Sequence, residues 1–130
     1  MKKKKNQIHE FNMDIYPRVL WIVFDEPLEF INKYFDIPEC DSDSWHKDGG
    51  ILAQCVPTMD KTDGRLGILV MFRGKKTVSV STIAHESVHV ADYIFEEIGA
   101  YSQDFKERNE PYAFLVGYIA DCIWGIVKSK

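Results

Sequence analysis

With 130 residues the chain fits one domain, and its 45% hydrophobic and 28% charged residues suffice for a core and exclude a disordered chain. A formal net charge of -4 at pH 7 argues against a broad nucleic-acid-binding face. The three cysteines, Cys40, Cys55 and Cys122, form no CxxC pair and are odd in number, so they read as reduced thiols of a cytoplasmic protein.

In chain order, residues 1–12 read as a flexible basic tail and 13–130 as a single domain. The run Lys2-Lys3-Lys4-Lys5 is followed by Asn6-Gln7-Ile8-His9-Glu10, not by the apolar stretch of a secretory signal. No segment reads as a membrane span. Arg18 to Phe24, rich in β-branched and aromatic residues, predicts a strand. Asp25 and Pro27 then open a helix with Leu28, Ile31 and Phe35 as its apolar stripe. Residues 36–50 form a loop by composition. Asp41, Asp43 and Asp48 beside Gly49 lack the spacing of an EF-hand, so this reads as an acidic loop able to cover a cleft, with Trp45 and His46 inside it. Strands are expected at Ile51–Val56 and Leu66–Phe72, separated by a turn from Thr58 to Arg65. Arg73-Gly74-Lys75-Lys76 reads as a hairpin turn into a partner strand, Thr77–Val80.

Two helices follow. The first is expected from Thr82 to Ile98, capped by Ser81 or Thr82 and stopped by Gly99, with Ala84, Val88, Ala91, Phe95 and Ile98 on its apolar face. The second runs from Pro111 to Val127 with Leu115, Ile119, Cys122 and Ile126 facing inward. Trp124 and Val127 fall off that stripe, a candidate oligomer contact. The order β-α-β-β-β-α-α predicts an α+β fold with helices packed on a small sheet.

The chemistry lies in His85-Glu86-Ser87-Val88-His89, an HExxH sequence. On a helix, positions i and i+4 share a side, and two imidazoles at that spacing can meet on one Zn²⁺. Glu86 then projects beside the pair, able to take a proton from an attacking water. Asp92 and Glu96 continue the histidine face. A catalytic zinc takes three protein ligands and leaves one position open. Glu110, in Asn109-Glu110-Pro111-Tyr112-Ala113, is the candidate third ligand; its alternative role is to stabilise a helix N-terminus. Ala113 and Gly117 follow it on nearly the same side, where small residues would let two helices approach closely.

Together these segments resemble the gluzincin pattern of zinc metallopeptidases, HExxH followed by NExxA or NExxS, over residues 78–121. The stretch from Asn109 to Tyr118 also resembles small zincin-like proteins of phages and prophages, for which the compartment would be the host cytoplasm. The resemblance implies a minimal zincin-like fold: a small mixed or antiparallel sheet on an active-site helix and a C-terminal helix. It implies one Zn²⁺ per chain on His85, His89 and Glu110, Glu86 as catalytic base and Asn109 in support. Where gluzincins often carry an Asp after NExxA, this chain has Phe114, so Asp92 or Asp121 is expected to orient a ligand histidine. The large downstream domain of most gluzincins has no counterpart here, so the oxyanion donor must be local: Tyr112, Tyr93 or Tyr118, with Tyr101, Arg108 and His46 as further choices. The implied partner is a peptide or protein substrate lying along a sheet edge near Leu66–Phe72 or Thr77–Val80, with no nucleic acid or membrane. The competing reading is a catalytically silent zincin-like domain that holds metal for stability or protein interaction. Two histidines and a carboxylate also suit Fe²⁺, Mn²⁺, Ni²⁺ or Co²⁺.

Overall fold

The computed structural model describes residues 7–13, 15–37 and 52–129. The Lys2–Lys5 run, Cys40 and the acidic loop with Asp41, Asp43, Trp45, His46, Asp48 and Gly49 lie outside the described residues.

Strands β2 (Val19–Phe24) and β4 (Leu66–Phe72) are parallel neighbours, in register from Val19 opposite Gly67 to Phe24 opposite Phe72. Their side chains alternate between two cores. Leu20, Ile22, Ile68, Val70 and Phe72 enter one, and Val19, Trp21, Val23, Leu69 and Met71 the other. Burial on both faces is why each strand reads as an unbroken apolar run. Gly67 leaves no room for a side chain, since a Cβ there would lie 2.1 Å from the Val19 carbonyl oxygen and 2.6 Å from the Trp21 ring.

β1 (His9–Asn12) pairs antiparallel with β2, and β3 (Ala53–Met59) antiparallel with β4, giving the order β1-β2-β4-β3. One face carries the short helix α1 (Leu28–Tyr34), which buries Leu28, Ile31 and Tyr34. The other carries α2 (Val80–Ile98) and α3 (Glu110–Val127), joined through a 3-10 turn at Phe105–Glu107. The fold is therefore α+β, a mixed four-stranded sheet between a single helix and a helical pair.

Three expectations change. Residues 9–12, read as part of a loose tail, form β1, because Ile8 and Met13 on either side are buried and Glu10 accepts hydrogen bonds from Trp21 Nε1 and Arg65, each at 2.9 Å. Thr77–Val80 is not a strand: β2 and β3 already occupy both edges of β4. Thr77 instead bonds back to the carbonyls of Arg73 (3.0 Å) and Gly74 (3.2 Å), and Ser79 caps α2 by accepting from Thr82 N at 3.2 Å. Finally, α3 is, among the described residues, a helix long and apolar enough by length and composition to cross a bilayer, with a mean hydropathy of 1.2 over 18 residues. Here Leu115, Ile119, Cys122, Ile123 and Ile126 pack it into the core.

Candidate metal centre

α2 sets the geometry of the site. Ile83, Ser87, Val90, Ala91, Ile94 and Phe95 face inward, whereas Ala84 and Val88 are exposed. The packed face is thus rotated by about 60° towards Glu86 from the Ala84-Val88-Ala91-Phe95-Ile98 stripe expected, with Ala91 and Phe95 common to both. The rotation draws Glu86 into the seam between helix and sheet, where it is 5% exposed, and leaves His85 and His89 on the outer side of the same seam. The buried Ser87 hydroxyl donates to the Ile83 carbonyl at 2.7 Å, satisfied within its own helix.

The two imidazoles meet edge to face with centroids 4.6 Å apart, and their Nε2 atoms are 3.1 Å apart. Two nitrogens sharing a tetrahedral metal at about 2.0–2.1 Å each lie about 3.3 Å from one another, so this pair needs only a small adjustment to share one. Glu86 Oε2 is 3.8 Å from His85 Nε2. A cleft of about 300 Å³ opens here, walled by residues 53–56 of β3 on one side and by His85, Glu86, His89 and Tyr93 of α2 on the other.

Two features of this wall were not legible in the sequence. The edge strand beside the histidines is β3, while Leu66–Phe72 lies inside the sheet and Thr77–Val80 is no strand. Cys55 of β3 lines the cleft beside Glu86. Burial, and then the Glu86 carboxylate, push the Cys55 thiol well up, so it stays protonated at neutral pH. Only the packing of β3 on α2 brings these two side chains together, and no local pattern encodes it.

The other predicted residues are dispersed. Glu110 is the first residue of α3 and is exposed; the outward side it shares with Ala113 and Gly117 faces solvent. A Cβ on Gly117 would meet nothing within 4 Å, so small residues there do not bring the helices together. Tyr112 makes the cross-helix contact instead. Its hydroxyl donates to Asp92 at 2.5 Å, and its ring packs edge to face on Phe95 at 5.4 Å. Desolvation, reinforced by Asp92, raises the Tyr112 phenol to about 12. Asp92 thus holds Tyr112, and no hydrogen bond from it to His89 is present. Asn109, left-handed at φ 51, accepts from Gln103 N at 2.7 Å. Asp121 is exposed beside Cys122, and the Tyr118 hydroxyl points to the Asn12 carbonyl at 3.4 Å, on the far side of α3. Of the three tyrosines proposed as donors, Tyr93 alone lines the cleft.

Among the described residues no three His, Cys, Asp or Glu side chains converge in a group that could hold a metal; His85 and His89 supply a pair, with Glu86 adjoining it. No protein-family model, curated protein or solved structure matches the chain.

Proposed function

We propose that the chain is a metal-dependent peptidase acting at the His85–Glu86–His89 cleft. The observation that carries this reading is the 3.1 Å approach of the two Nε2 atoms beside a buried carboxylate. Glu86 is 5% exposed and has no Lys or Arg ion pair among the described residues, so a cation held by the histidines would lie beside an otherwise unpaired buried carboxyl group. Zn²⁺ fits this donor set: two imidazoles now, with Glu110 as the third ligand. The Glu110 side chain is exposed on the outward side of α3, so metal capture by it requires the start of α3 to move as well as the side chain. When bound, the metal would polarise the scissile carbonyl and acidify an attacking water.

The chain's own residues do the rest. An extended peptide adds to the outer edge of β3, its backbone aligned by strand-type hydrogen bonds and its scissile bond laid over the histidine pair. Glu86 accepts a proton from the attacking water and passes it to the leaving amine. Its burial keeps bulk water away from the transfer. Tyr93 is the donor for the developing oxyanion.

The test is peptide cleavage and metal content measured together on the full chain. Glu86→Gln should retain one metal per chain and lose cleavage by about 100-fold or more. Glu110→Gln should weaken metal retention by about tenfold or more. A Glu86→Gln protein that cleaves like the parent would overturn the catalytic assignment. The dispersal of Glu110 from the histidines favours a second reading, a domain that binds metal without turnover, for which Glu86→Gln leaves function intact.

A further inference from the structure

The outward face of α3 carries a pattern that neither the sheet nor α2 uses. Glu110, Phe114, Gly117, Asp121, Trp124 and Lys128 recur at spacings of four and three, a single seam along the helix, and all six are exposed. Phe114 is 74% exposed and Trp124 47%, a large apolar outlay for a helix surface. Read from either end about the helix midpoint, the seam is complementary to itself. Reversed on itself, it sets Glu110 against Lys128, Phe114 against Trp124 and Gly117 against Asp121.

We infer that this face binds a second copy of the chain, α3 against α3 in antiparallel orientation about a two-fold axis. Charge complementarity selects this occupant. Each end of the seam meets its opposite sign, and the positive N-terminal end of each helix dipole lies beside the negative C-terminal end of the other. The axis crosses between Gly117 and Asp121, where glycine lets the backbones approach. An apolar cavity of about 410 Å³ lies beside Phe114, between α3 and Met13, Ile15 and Tyr16, on one flank of the seam. A two-fold contact repeats each of these interactions. A single helix face is smaller than a standard interface, so the dimer is a reversible one.

This inference does not rest on the metal reading, and it takes Glu110 in the outward position described above. Sedimentation equilibrium of the full chain over a wide concentration series, in EDTA, tests it free of any claim on Glu110 by a metal. A monomer–dimer equilibrium is expected. The Phe114→Ala/Trp124→Ala variant should be monomeric throughout. Lys128→Glu should weaken association by about tenfold, and adding Glu110→Lys should restore it. All of these positions are on the surface, so folding is not at stake. A chain that stays monomeric at every concentration, a dimer indifferent to Trp124→Ala, or a charge swap that fails to restore association would each overturn the proposal.

Discussion

Tyr112 illustrates how one side chain can serve the fold and carry a pH signature. Its phenol is wedged between α2 and α3 with Asp92 as acceptor, which places its ionisation near 12 rather than the usual 10. The folded state therefore holds this proton more tightly than the unfolded chain. The associated stability is fully present below pH 10 and is lost as pH rises through 12. An ultraviolet titration should find Tyr112 ionising near pH 12, and Tyr112→Phe should remove that late step. The same variant should flatten the decline in urea stability between pH 10 and 12. An unchanged late step in Tyr112→Phe would place the shift on another tyrosine.

At the level of elements, the sheet is most sensitive where β2 and β4 touch. Gly67→Ala forces a methyl group against the backbone oxygen of Val19, which cannot swing aside as a side-chain tip could. The expected loss is about 3 kcal/mol, or about 10 °C in thermal midpoint, measured by calorimetry. That contact was not legible in the sequence, where Gly67 is simply one residue of an apolar run. The elements themselves were largely legible. β2, β4, α2 and α3 stand close to where periodicity puts them, and Gly99 ends α2 with φ 74 as its position suggested, but the cap is Ser79, ahead of the expected Ser81 or Thr82, which both lie inside the helix. What escaped was phase and adjacency. α2 offers two overlapping apolar stripes that share Ala91 and Phe95, and the burial of Ile83, Ser87, Val90 and Ile94 in place of Ala84 and Val88 follows from docking on β3 and β4. The HExxH spacing did foretell the meeting of His85 and His89, because a pair one turn apart depends on helix geometry alone. The direction of Glu110 depended on how α3 rolls on the core, and Leu115, Ile119, Ile123 and Ile126 decide that roll.

For the whole molecule, a metal bound at the cleft as proposed would be linked to folding, since the unfolded chain holds the two imidazoles at no fixed separation. At a metal concentration about 100 times the dissociation constant the gain is about 2.7 kcal/mol, close to a 10 °C rise in midpoint for a domain of this size. Scanning fluorimetry should register that rise with Zn²⁺, its reversal by chelator and its absence in His85→Ala. A Zn²⁺ response retained in His85→Ala would put the ion elsewhere. The parallel pairing of β2 with β4 has a separate, kinetic consequence. Val19 must find Gly67 across α1, a long connection and β3, so the centre of the sheet closes through a large loop, whereas α2 and α3 are neighbours along the chain. Refolding should therefore begin with the helical hairpin and end with the zipping of β2 onto β4. The cleft, which needs β3 held in place by β4, is among the last features to form.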